Sequence, residues 1–268
     1  MIRLSWRALW LVLFVGLFAS GAAFAEEPEG EAEGADEAEE SPLKMIGKDE
    51  AKPLNDALKK AAKKKNATQV VPSMEAIEEL DSPEFHKVLL KLLRHDSSLV
   101  AVKAAEMWEW RIDGKKTASK VWKASWLDKK NKRRFIVKGL VLKALARAGH
   151  KLDAKQFKEV ERDWRWMVGN PNKKYAPAMS AIAEWVEMSG DKRMCKRLAM
   201  ELDEPVATNP NSPSNPPADW WEKRWHMWKE AKPAVVSALQ ALTGQEFDKT
   251  EEAKKWFKEN EKTFGFEW

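Results

Sequence analysis

Glu106 and Glu184 are the carboxylates of this chain best suited by position to act as a general acid, because each interrupts a stretch otherwise rich in apolar residues. A general acid needs a raised pKa, and burial is what raises it. The competing expectation is that each lies on the exposed polar stripe of its own helix, with Lys103 near Glu106 and Glu187 near Glu184. Other reactive groups are sparse. His86, His95, His150 and His226 form no i, i+3 or i, i+4 pair, and Cys195 is the sole cysteine, so a zinc site would need distant groups to converge. Arg94-His95-Asp96 matches the kinase catalytic triplet in composition but not in order. The sequence contains no glycine-rich phosphate loop, serine-nucleophile elbow or paired-histidine zinc motif. No catalytic residue, cofactor or metal ligand is therefore assigned.

Tryptophan is the unusual residue. The chain has 15, against one tyrosine, so its aromatic surface is almost all indole and phenyl. Trp221, Trp225 and Trp228 fall on one face of a helix opening at Pro217-Ala218-Asp219, and Trp122 and Trp126 form an i, i+4 pair. These spacings read first as core packing. Trp166 and Trp220 sit off the main apolar faces and are the candidates for flat platforms that stack on sugar rings or peptide side chains.

The elements that must hold these residues are helices. Phe85, Val88, Leu89, Leu92 and Leu93 follow the 3.6-residue period, after a start signal at Asp81-Ser82-Pro83. The next stretch, Leu99 to Trp110, is polar only at Lys103, Glu106 and Glu109, and a helix apolar around most of its girth is buried on several sides. That type recurs. Residues 135–148 are polar only at Lys138, Lys143 and Arg147 before Gly149. Residues 176–188 are polar only at Ser180, Glu184 and Glu187 before Gly190, and residues 234–243 form the fourth such stretch before Gly244. Each is preceded by an amphipathic stretch. Trp110 lies 39 residues before Gly149, and Gly190 lies 41 after it. The longer interval of 54 to Gly244 contains the Pro/Asn-rich loop at 203–217. A period of about 40 residues, one outer and one inner helix, is that of a stacked-pair array.

Asp96-Ser97-Ser98-Leu99-Val100-Ala101-Val102-Lys103-Ala104-Ala105 resembles the inner-helix motif of HEAT repeats, an Asp-containing turn before a Val-x-x-x-Ala-Ala run. Residues 238–247, followed by Trp256-Phe257-Lys258-Glu259-Asn260, resemble the closing unit of exported bacterial HEAT-repeat proteins. The likeness spans about 80 to 268, although the second and third units lack the Asp-turn. It implies an all-α, right-handed α-solenoid of stacked antiparallel helix pairs over 48–268, and an interaction scaffold as its use.

The chain opens with Arg3, Arg7, a 12-residue apolar run and Ala23-Phe24-Ala25, the pattern of a cleaved Sec-type signal peptide over 1–25. A bilayer span needs roughly 20 apolar residues, so no integral span is expected after cleavage. The segment 26–47 is expected to be disordered, since 26–43 holds nine acidic residues and no basic one. With those nine of the 42 acids and the leader's two of the 47 bases set aside, the remainder carries a net charge of +12. A basic body attracts an acidic polymer or an anionic membrane surface. In a periplasmic or secreted protein, nucleic acid is not the expected partner. An exported domain without a disulfide must hold itself together by burial.

The leading expectation is a non-enzymatic scaffold that engages a protein partner in the cell envelope. Its polar contacts would be Lys103, Glu106, Lys138, Lys143, Glu184 and Glu187 on the inner helices. An envelope glycan stacked on Trp166 and Trp220 is the alternative, and a carboxylate-based hydrolase or lyase the second alternative.

Overall fold

The computed structural model describes residues 41–207 and 211–265, so the expected signal peptide and the acidic segment up to residue 40 lie outside the described residues. The regular secondary structure of the described residues is helical apart from one short two-stranded bridge. Strand β1 (Lys44–Met45) pairs in parallel with β2 (Leu80–Asp81), with Lys44 opposite Leu80 and Met45 opposite Asp81. Ile46, just after β1, is buried in the core. The buried core thus includes a residue before Lys48, within the segment expected to be disordered. Two residues are too few to carry a hydrophobic period, so this pairing leaves no signature in the sequence.

Helices α1 (Lys48–Ala61), α2 (Ala67–Glu75), α3 (Pro83–Leu92) and α4 (Ser98–Glu106) follow. Next come α5 (Lys115–Trp126), α6 (Phe135–Arg147), α7 (Ala154–Gly169) and α8 (Ala176–Ser189). The series closes with α9 (Cys195–Ala199), α10 (Ala218–Thr243), α11 (Thr250–Glu259) and α12 (Glu261–Phe264). Local signals set several ends. Asn66 and Asp153 accept backbone N–H bonds at the starts of α2 and α7. Gly190 and Gly244 end α8 and α10 in the left-handed conformation, at φ 65° and 69°, which costs a residue without Cβ nothing.

Alternate helices touch in succession: α2 packs on α4, α4 on α6, α6 on α8 and α8 on α10, while α1 packs on α3 and α3 on α5. The apolar stretches are the buried ones. Val137, Val141, Leu142, Ala144 and Leu145 of α6 and Ala178, Met179, Ile182, Ala183 and Val186 of α8 all sit in one core cluster. The approach between α6 and α8 is close enough that a Cβ at Gly139 would lie 2.9 Å from Cβ of Ala181 and 3.2 Å from the Ala178 carbonyl oxygen. In α10 the structure departs from expectation. The tryptophan-bearing stretch from residue 218 and the apolar stretch from 234 form one unbroken 26-residue helix with Pro233 inside it. Proline has no N–H to donate, so the carbonyl of Lys229 loses its usual helical partner at that turn.

Side chains also reach back to carbonyls of earlier turns, several of them 38 to 41 residues back. Asn131 donates to the Leu93 carbonyl, 38 residues earlier, and Arg134 donates to those of His95 and Asp96, at separations of 39 and 38. Arg193 donates to the Leu152 carbonyl, 41 residues earlier. Arg111 is 3% exposed and donates to the carbonyls of Ile77, Glu78 and Leu80 as well as to Met107 in its own turn. A guanidinium presents five donors in a fixed fork, which suits it to satisfying several orphan carbonyls at once.

Candidate functional site

The polar residues of α4, α6 and α8 are mostly paired with neighbouring helices or turns. Lys103 of α4 reaches Glu78 beyond α2 at 2.5 Å, and Arg147 of α6 reaches Glu109 beyond α4 at 3.3 Å. Lys143 of α6 pairs with Glu184 of α8, and Ser237 of α10 donates to Glu187 of α8 at 3.0 Å. The stripe is thus a ladder of cross-helix contacts joining each apolar helix to the next. Such half-exposed pairs contribute roughly 0–1 kcal/mol each. Glu106 alone among the expected contacts is exposed with no partner among the described residues. Neither Glu106 nor Glu184 is buried, so neither has the desolvated setting a general acid requires.

Lys138 does not belong to that surface. It is 2% exposed and pairs with Asp163 of α7 at 2.5 Å, with the rings of Trp126 and Phe135 within 5.6 Å of its ammonium. Lys138 and Lys143 are five residues apart, so at 3.6 residues per turn the helical period sets them about 140° apart around α6, and the partner of Lys138 lies 25 residues away on another helix. Glu201 is likewise buried, against Arg224, and burial pushes its carboxyl up against the opposing pull of that guanidinium. It fills a core position and not a cleft. His95 closes a turn: Ser97 N–H donates to its Nδ1, and its Nε2, which then carries the proton, donates to the Lys64 carbonyl at 2.7 Å. Among the described residues no group of three or more His, Cys, Asp or Glu side chains is placed to hold a metal ion.

Trp166 and Trp220 are half-buried and have partners. The Arg133 guanidinium lies 4.7 Å over the Trp166 ring, which packs beside Phe135 and Tyr175. Trp220 donates from Nε1 to the Gly169 carbonyl and meets Trp221 edge-on. The better-formed aromatic site lies further along α10. Trp225 and Trp228, three residues apart, line an open groove of about 510 Å³ together with Lys229, Lys232, Pro233, Val236 and Glu204. Trp225 Nε1 donates to Glu204 at 2.7 Å, which fixes its ring, while Lys229 and Lys232 stand over the two indole faces at 4.9 and 5.1 Å. The floor is apolar and the rim carries both signs of charge. Part of the expected 203–217 loop therefore borders a site through Glu204. The spacing of Trp225 and Trp228 reads first as core packing, whereas in the structure both indoles are only partly buried and line an open groove. What decides it is the partial exposure that the tertiary fold leaves to both rings.

No family model matches the chain, and no curated protein and no solved structure is similar to it.

Proposed function

We propose that this chain is an exported, non-enzymatic binding protein, a HEAT-like α-solenoid that holds a protein partner in the cell envelope. The succession of contacts from α2 through α10 and the reach-back bonds at intervals of 38, 39 and 41 residues support the repeat reading. The observation that carries the binding reading is the groove of Trp225 and Trp228, whose apolar floor and charged rim match the anatomy of a binding hot spot. The ladder from Lys103 to Ser237 serves in this reading to set the spacing of the helices, with Glu106 left free to contact the partner.

The test is affinity capture from solubilised envelope with the wild-type chain and with W225A/W228A, followed by analysis of both proteins and glycans. A protein recovered by the wild type and lost by the double variant supports the proposal. Glycan enrichment without a protein moves the site to the second reading, which the paired indoles and their flanking Glu204 and lysines also suit. Equal recovery by both chains overturns the groove as the site.

A further inference from the structure

We infer that the row of turns joining α1 to α2, α3 to α4 and α5 to α6 is a docking edge for an anionic lipid bilayer. This surface is separate from the tryptophan groove and does not depend on it. The three turns are bound together by contacts already described and two more. The Lys64 carbonyl accepts from His95, Arg134 donates to His95 and Asp96, Lys130 pairs with Asp96 at 2.6 Å, and Arg94 pairs with Asp128 at 3.1 Å. The edge carries two acids, Asp96 and Asp128, and both are consumed in those pairs.

The cations that remain are in excess. Lys63, Lys64 and Lys65 on the first turn and Lys129 and Lys132 on the third are exposed, and none pairs with an acid among the described residues. Arg133 and Lys174 continue the same sign around the next depression, which Ser98 and Tyr175 also line. A charge excess alone would suit any polyanion. Two apolar side chains narrow the choice. Leu99, three residues after Asp96, is 62% exposed, and Leu127, beside Asp128, is 60% exposed. A leucine held in water amid lysines gains nothing from a soluble polyanion. It gains burial when the lysines reach phosphate headgroups and the side chain enters the acyl boundary. The described chain has no helix long and apolar enough to cross a membrane, so this contact would be peripheral.

The experiment is flotation of the full chain with vesicles of phosphatidylcholine alone or mixed with phosphatidylglycerol; the neutral vesicles report whatever binding residues 1–40 contribute. The proposal expects stronger binding to the mixed vesicles, weakened by salt. A lysine near an anionic surface contributes about fivefold, so K64E/K129E/K132E should lose about a hundredfold of the anionic preference. L99Q/L127Q, which leaves the charge unchanged, should lose severalfold of the same preference. All five side chains are exposed, and unchanged thermal melting would confirm that the variants fold. Equal binding to both vesicle types, or retention of the preference by K64E/K129E/K132E, overturns the proposal. If the preference survives in L99Q/L127Q and soluble polyphosphate competes it away, the edge is a polyanion site and the bilayer assignment falls.

Discussion

Lys138 and Asp163 close an ion pair of 2.5 Å between α6 and α7 in which the side chains keep only 3% and 8% of their surface in water. At that depth each charge is offset chiefly by the other, with Arg162 at 3.6 Å from Asp163 as a more exposed second partner, so removing one partner costs about 3–5 kcal/mol, while replacing both with apolar residues of similar volume is often neutral. K138M should therefore lower the unfolding free energy by about that amount, and K138M/D163L should recover most of it. Urea denaturation of the wild type and the two variants measures this.

The contact between α6 and α8 makes a second prediction. Glycine inside a helix normally costs about 1 kcal/mol relative to alanine. At Gly139 the sign should reverse, because the added methyl would lie 2.9 Å from Ala181 Cβ, an atom that cannot swing away. G139A should destabilise by about 1–3 kcal/mol, the usual cost of overpacking. G139A/A181G should restore much of the loss, since it removes the atom that is struck.

Much of this was legible in the sequence, and the parts that were not share a cause. The stops at Gly149, Gly190 and Gly244 could be read directly because all three adopt positive φ, which glycine tolerates best. The buried stretches in α4, α6 and α8 were visible because polar residues occur so rarely in them. Lys138 could have been set off the face of Lys143 from its five-residue spacing alone, whereas its partner Asp163 on another helix could not be read locally. The continuity of α10 was missed because Pro233 usually marks a boundary, yet here the helix runs through it. The tryptophan groove required knowing which side chains of α10 the tertiary fold leaves partly exposed.

Arg111 illustrates a bond pattern that composition cannot reveal, and it makes a third prediction. Its guanidinium serves carbonyls at 77, 78 and 80 together. R111M should leave those buried acceptors unmatched and lower stability by about 2–4 kcal/mol. R111K should rescue little, because an ammonium on a flexible stem does not reproduce the fork. Thermal melting of the two variants against the wild type tests both statements.

Cys195 is fully buried, and burial pushes its thiol from 9.0 up to about 12. The folded state therefore holds this proton more tightly than the unfolded chain. Its contribution to stability is intact below pH 9 and is lost as pH rises toward 12, at up to about 1.4 kcal/mol per pH unit. C195A should flatten that slope in alkaline denaturation. In the wild type at pH 8, a thiol reagent should react at the rate of opening and not at the rate of a free thiol.

The reach-back bonds of Asn131, Arg134 and Arg193 run in one direction: the later residue supplies the donor and the earlier turn the carbonyl. Synthesis and the proposed export both release the chain amino terminus first, the opposite sense to that dependence. Each turn emerges with its carbonyls unanswered and stays so until the residue 38 to 41 positions later has followed it out. Maturation of the early helices should therefore lag one unit behind their appearance, and a chain halted midway would carry its incomplete turn at the newest end.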